Sequence, residues 1–262
     1  MRVLFVGDVF ATPGMKAARS YLDRVRPDYD FVIVNGENAA GGRGITRKHY
    51  QQLRAAGADV VTLGNHTFDQ PEVHGLLEET QHLLRPMNYP PGTPGLGAAT
   101  FTAADGSRIT VAQVMGRVFM DPLDDPFRAL DDLIDRCPAG EALVLDLHAE
   151  ATSEKKVLLH HVAGRVSAAI GSHTHVQTAD ETVVNGTAYI TDVGMTGVQH
   201  SAIGMAYEEV HHRFTRKTPK RFRPAEGPAT VCAVSFVLDG ARARSVERLR
   251  WTAEQAAQDE AR

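Results

Sequence analysis

The opening stretch MRVLFVGDVFATPGMKAARSYLDRVRPDYDFVIVNGEN, residues 1–38, holds the pattern that decides the fold. Residues 3–6 are a β-branched and aromatic run ending in Gly7-Asp8, and residues 31–34 are another, ending in Asn35-Gly36-Glu37. Both read as buried strands. Between them, residues 14–26 alternate apolar and basic positions at helical spacing until Pro27 stops the run. A strand-helix-strand unit results, with a carboxylate just beyond each strand.

The same grammar repeats downstream. Thr46 is placed to cap a helix running to about Ala56, residues 59–63 read as a third strand, and Gly64-Asn65-His66 follows it directly. Asp69 and Pro71 start a further helix, which passes into a Pro- and Gly-rich surface connection over residues 85–97. Residues 99–103 and 108–114 flank Asp105-Gly106 as a hairpin, so antiparallel pairing enters here. Asp125-Pro126 opens a helix to about Arg136, and residues 142–147 form a strand that delivers His148. Residues 150–163 read as a helix and 166–170 as a strand, with Gly171-Ser172-His173-Thr174-His175 as its terminal loop. Strand-like runs at 187–191, 230–238 and 245–251, with turn dipeptides Asn185-Gly186 and Asp239-Gly240, complete the pattern. Alternating α/β units followed by hairpins predict two packed sheets with helices outside, closed as a single domain over residues 1–262.

Composition narrows the function. A hydrophobic fraction of 43% with 23% charged residues supports a globular core rather than disorder. The net charge of −4 excludes a generally basic nucleic-acid binder, so an anionic substrate must be attracted locally. Cys137 and Cys232 lack metal-ligand spacing and read as buried thiols in a reducing compartment. No stretch reaches the roughly 18 apolar residues of a membrane span, and the N-terminal apolar run is too short for a signal peptide. The expectation is a cytoplasmic protein with no membrane partner.

Five strands end in polar clusters: Asp8, Glu37-Asn38, Asn65-His66, His148 and His173-x-His175. Each alone has an ordinary explanation as a turn former, helix cap or core histidine. Their recurrence past successive strand ends, where open α/β folds bind ligands, predicts that the loops converge. Carboxylate, carboxamide and imidazole donors without thiolate suit iron, manganese or zinc. Glu37 is a candidate to bridge two divalent cations about 3.5–4 Å apart, a spacing that also traps a hydroxide for in-line attack on phosphorus. Asn38 and Asn65, being neutral, would keep the pair electrophilic. His66, adjacent to a candidate ligand but directed to the other side of an extended backbone, is the candidate general acid.

Gly7-Asp8, Gly36-Glu37-Asn38, Gly64-Asn65-His66, His148-Ala149-Glu150-Ala151-Thr152 and the run from Gly171 to Thr178 resemble the calcineurin-like metallophosphoesterases, specifically their YmdB-like branch. The likeness covers nearly the whole chain and includes the segments 122–127 and 191–197. It implies an α/β fold with a four-layer α-β-β-α metallophosphoesterase sandwich, two mixed β-sheets flanked by helices. It also implies hydrolysis of phosphodiesters including 2′,3′-cyclic nucleotides, and self-association as a homo-oligomer. Carried over by position, Asp8, Glu37, Asn38 and His175 would hold one metal ion; Glu37, Asn65, His148 and His173 would hold the other. His66 would be the proton donor. Against the broad superfamily, the usual Asp-x-His is Asp8-Val9-Phe10 and the usual bridging Asp is Glu37, which leaves the first site richer in oxygen.

The basic stretch Arg213, Arg216, Lys217, Lys220, Arg221, Arg223 reads first as a solvated loop, with steering of a phosphorylated substrate or RNA contact as the functional alternative. Arg117 and Asp192 are candidates to support the ligands from behind. Three rivals stand beside the phosphodiesterase reading. A serine esterase of the Gly-Asp-Ser-Leu type fails on Val9, which occupies the nucleophile's place. The others are a nucleotide-sensing regulatory protein and a phosphomonoesterase on the same metal core.

Overall fold

The computed structural model describes residues 1–253. In chain order its principal elements are β1 (Arg2–Val6), α1 (Ala11–Val25), β2 (Phe31–Asn35), α2 (Arg47–Ala55), β3 (Val60–Thr62), α3 (Val73–Glu79), β4 (Leu83–Leu84), β5 (Ala98–Thr102) and β6 (Arg108–Met115). There follow α4 (Pro126–Ile134), β7 (Ala142–His148), α5 (Thr152–Val162), β8 (Ala168–Ser172), β9 (Thr182–Val184), β10 (Thr187–Ile190), β11 (Gly197–Val198), α6 (Tyr207–Arg216), β12 (Ala229–Asp239) and β13 (Arg242–Thr252).

One sheet runs β11-β12-β1-β2-β3-β4 with β13 paired to β12, and the other runs β5-β6-β7-β8-β10-β9. Strands β1 to β4 are mutually parallel, whereas β12 meets β1 antiparallel. The second sheet is mixed in the same way, parallel from β6 through β10 with antiparallel edges.

Strand alternation explains the layering. Val3 and Phe5 of β1 point to one side and pack with Phe31, Ile33, Ile109, Val111, Val144, Ile170 and Phe236 between the sheets. Leu4 and Val6 point to the other and meet Met15, Ala18 and Leu22 of α1 and Leu53 of α2. On the far side of the second sheet, Leu143, Leu145 and Leu147 pack on Leu130 of α4 and on Leu158 and Leu159 of α5. The order is helices, sheet, sheet, helices, the four-layer sandwich that the resemblance implies.

Local chemistry sets the element ends. The Thr46 hydroxyl accepts from the His49 amide at the start of α2, and Asp125 accepts from Phe127 and Arg128 ahead of α4. Asn185 and Gly186 both take positive φ, the requirement of a tight turn between β9 and β10.

Four elements escape the sequence reading: β4 and β11, each two residues long, β9, and α6. The stretch read as a solvated loop begins inside α6, whose last turn carries Arg213 and Arg216. Helix α6 buries only Glu209 and leaves Tyr207 and Phe214 exposed, so it presents no core-facing side. The connection over 85–97 is also tied down: Arg85 is buried and donates to the carbonyls of Pro86, Thr93 and Pro94.

Phe5 lies in the layer on which both sheets close, and Phe5→Ala is expected to cost about 3–5 kcal/mol of unfolding free energy. Urea titration followed by circular dichroism measures this. A loss under about 1 kcal/mol, well below that range, would mean that the two sheets do not share this layer.

Candidate metal centre

The carboxyl ends of β1, β2, β3, β7 and β8 meet at one edge of the sandwich. They border a cleft of about 430 Å³, lined by Glu37, Asn38, His66, His173 and His175 among others. Asp8 and His148 lie beneath, fully buried. Asp8 Oδ2 accepts from the His173 amide, and Asn65 Oδ1 lies 3.0 Å from His148 Nε2. All eight residues singled out in the sequence therefore gather in one place. Donor atoms of Glu37, His148 and His173 all lie within 4.8 Å of one another. The backbone crosses this crowd at Gly64, where a Cβ would stand 2.2 Å from Glu37 Oε2 and 2.3 Å from His148 Nε2.

The directions of the hydrogen bonds decide what the cluster can bind. Ser172 Oγ donates to Asp146 Oδ1 at 2.5 Å, so it accepts from His148 Nδ1 at 2.9 Å. The neutral ring then turns the Nε2 lone pair inward, toward Asn65 Oδ1 and toward Glu37 Oε1, also 3.0 Å away. His175 repeats the arrangement. Its Nδ1 donates to the Ile203 carbonyl at 3.0 Å, so Nε2 faces Asn38 Oδ1 at 3.1 Å as acceptor against acceptor. The Asn38 amide donates to the Gly42 carbonyl, which fixes which end of the carboxamide points inward. Asp8 Oδ1 is buried without a partner. Lone pairs so opposed need a positive charge between them, a proton or a cation, and oxygen with imidazole donors suits a divalent ion. The residues present fit the metal pair implied by the resemblance.

The electrostatics agree. Burial raises the Asp8 carboxyl to about 6 against the pull of His175 and His148. Burial also opposes ionisation of Glu37, but His148, His66 and His173 around it prevail and hold it at about 2. For His148 burial disfavours the charged ring, yet Glu37 raises it to about 9. His173, desolvated and beside His148, falls to about 3. Without a cation, a proton on His148 takes the cation's place.

A buried scaffold aims these groups. Asp146 accepts from Ser172 of β8, from Thr62 Oγ1 at 2.6 Å and from Asn35 Nδ2 at 3.0 Å, joining both sheets below His148. Asp192 accepts from Lys155 Nζ at 2.7 Å and from the Thr174 amide and hydroxyl. It thereby pins the loop in which His173 and His175 adopt φ of 92° and 65°. Such left-handed backbone costs of order 1–3 kcal/mol per residue and persists only when it is held. Asp192 thus sits where the sequence reading proposed. Arg117 does not, because its side chain pairs with Asp125 at the surface.

His66 borders the cleft, but not from the extended backbone expected of it. Residues 65–68 form a turn, and the His66 amide donates to Glu37 Oε2. Asp69 Oδ2, 2.9 Å from His66 Nδ1 and 2.9 Å from Arg43 Nε, accepts from Nδ1, and His66 Nε2 then lies 3.3 Å from the Asn65 side-chain nitrogen. Sequence reasoning missed Asp69, Asp146 and Ser172. Asp146 carries a visible signal, a lone carboxylate inside the apolar run ALVLDLH of β7. Glu150 Oε2, also missed, lies 3.1 Å from His173 Nε2 and leaves Nδ1 of that neutral ring as its lone-pair donor.

The YmdB-like protein family model matches residues 4–249. A 2′,3′-cyclic-nucleotide 2′-phosphodiesterase of Bacillus subtilis is 44% identical over 251 residues, 94% of this chain and 95% of that protein. A hypothetical protein from Thermus thermophilus superposes with a TM-score of 0.92 at 50% identity, covering 96% of this chain and 99% of its own. A novel phosphatase from Mycoplasma pneumoniae gives 0.90 at 31% identity, with 96% and 93% covered. These likenesses span both sheets and every strand end at the cleft, and the chain belongs to the YmdB-like protein family.

Proposed function

We propose that the chain is a metal-dependent phosphodiesterase that opens 2′,3′-cyclic nucleotides. The observation that carries the reading is the set of opposed, buried acceptors around Asp8, Glu37, Asn38, Asn65, His148 and His175 at the floor of the cleft. The Bacillus subtilis relative's activity supports the substrate class. Asp8, Glu37, Asn38 and His175 would hold one cation and Glu37, Asn65, His148 and His173 the other. Iron or manganese suits these donors, with zinc as the third choice. Cations held there supply charge neutralisation at phosphorus and an activated nucleophile at neutral pH.

The chain's own residues do the rest. His66 donates its Nδ1–H to Asp69, and its Nε2, 3.3 Å from the Asn65 side-chain nitrogen at the cleft, is the atom from which a proton would pass to the departing 2′ oxygen. The P–O2′ bond breaks, water adds to phosphorus, and the 3′-phosphomonoester leaves with a free 2′-hydroxyl. Arg43, held by Asp69 at the rim, faces the side from which an anion enters. Phe10, Ile203 and Met205 give the same cleft an apolar wall against which a nucleoside can lie.

The family resemblance supports one domain acting as a homo-oligomer, and the free thiols, Cys232 buried and Cys137 only half-buried rather than buried as expected, support a cytoplasmic setting. Among the described residues no helix is long and apolar enough to cross a membrane.

His66→Ala is expected to keep its metal content while kcat on 2′,3′-cyclic AMP drops by about 10²–10⁴-fold. Wild-type protein tested with manganese or iron against 2′,3′-cyclic nucleotides, 3′,5′-cyclic nucleotides and p-nitrophenyl phosphate should prefer the first. Turnover of the monoester alone would overturn the substrate assignment, and no turnover in either form would leave a binding protein. Asp146→Asn is expected to weaken metal affinity by about 10–100-fold, through loss of the Ser172 bridge that orients His148. Titration calorimetry reads this, and unchanged affinity would remove the scaffold role. Stripped protein should release protons as it takes up metal at pH 7 to 8, because His148, raised to about 9, is charged there and must free its Nε2. Calorimetry in two buffers of different ionisation enthalpy counts the protons, and a count of zero contradicts the assignment.

A further inference from the structure

Residues 207–222 form an excursion that leaves the cleft wall and returns to it. Ile203 and Met205 line the cleft, and α6 starts two residues later at Tyr207. The base is closed by Ala206 N donating to Arg223 O and Ala225 N to Gly204 O, each at 2.8 Å, with Met205 bridged to Pro224. The base of the excursion therefore adjoins the cleft.

The surface of this excursion differs from the acidic whole. In a chain of net charge −4, residues 213–223 carry six cations and no carboxylate. Arg223 pairs with Glu209, and among the described residues Arg213, Arg216, Lys217, Lys220 and Arg221 have no ion-pair partner. Helix α6 buries only Glu209, so core packing does not account for it. Tyr207, His211 and Phe214 follow one another at i, i+4 and i+7, one side of the helix. Tyr207 is 59% and Phe214 68% exposed. The Tyr207 and His211 rings stack with centres 5.2 Å apart, and the Arg213 guanidinium lies 5.8 Å from the centre of the Phe222 ring.

We infer that the excursion is a track for single-stranded RNA whose 3′ end enters the cleft. The substrate would then include a 2′,3′-cyclic phosphate at the end of a ribonucleotide chain, not only the free mononucleotide. This rests on the phosphodiesterase reading of the cleft. The unpaired cations complement a polyanion. Exposed flat rings beside them stack unpaired bases, which a duplex keeps inside its own helix. A symmetric contact with a second copy of this chain would set the same cations against one another, which disfavours that occupant.

The test uses the full chain, manganese-loaded, and a labelled RNA of about twelve nucleotides ending in a 3′-hydroxyl, within the length such grooves accept. Anisotropy then reads binding without turnover, while hydrolysis of 2′,3′-cyclic AMP reads the cleft separately. Combined Arg216→Glu, Lys220→Glu and Arg221→Glu should weaken the RNA at least tenfold. The salt dependence of log K should become shallower by about 2, since each single-strand phosphate contact contributes about 0.7. Phe214→Ala should weaken the single strand about tenfold and leave a duplex of equal length unaffected. Both variants should hydrolyse 2′,3′-cyclic AMP at the wild-type rate. RNA affinity that is unchanged in both variants, or equal for duplex and single strand, overturns the track. Loss of self-association in the triple variant, seen by sedimentation with RNA affinity intact, also overturns it by assigning the surface to a second copy. RNA binding as described without hydrolysis of 2′,3′-cyclic AMP would keep the track and remove the phosphodiesterase reading; hydrolysis without RNA binding would do the reverse.

Discussion

Opposed lone pairs in a buried seam are the constraint on which this structure turns. His148 Nε2 faces Asn65 and Glu37, His175 Nε2 faces Asn38, and Asp8 Oδ1 faces no hydrogen at all. In water such groups would be satisfied by solvent; at 0–8% exposure for Asp8, Glu37, Asn38, His148 and His175 they are not. A core that carries this arrangement gives up stability for a site that is complete only with added positive charge.

The fold holds the groups in place because parallel strands from two sheets end on the same edge. Below that edge, polar contacts cross the apolar layer at Asp146, which takes hydrogen bonds from β2, β3 and β8. Beside it, buried Lys155 and Asp192 brace the loop of the two left-handed histidines. The geometry of the candidate ligands is therefore set by strands and buried pairs, with the loops only completing it.

Much of this was legible in the sequence, for a physical reason. Buried strands are read from apolar runs, and a polar residue just past such a run stands out, so Asp8, Glu37, Asn38, Asn65, His148, His173 and His175 could each be placed at a strand end. What supports them was harder to read. Asp146 interrupts an apolar strand but forms its partnerships only across the sheets, with residues far away in sequence. Asp69 follows His66 by three positions, a spacing that brings them together in a turn and not in the extended chain assumed for His66. Helix α6 stayed hidden because its few apolar positions, Tyr207, Val210 and Phe214, sit among charged residues and histidines and face no core, so the cation run from Arg213 dominates the segment.

The most direct test is anomalous scattering from a crystal grown with manganese. Two neighbouring peaks are expected, one among Asp8, Asn38 and His175, the other among Asn65, His148 and His173, with Glu37 touching both. An empty seam, or manganese held only elsewhere on the molecule, would contradict the account.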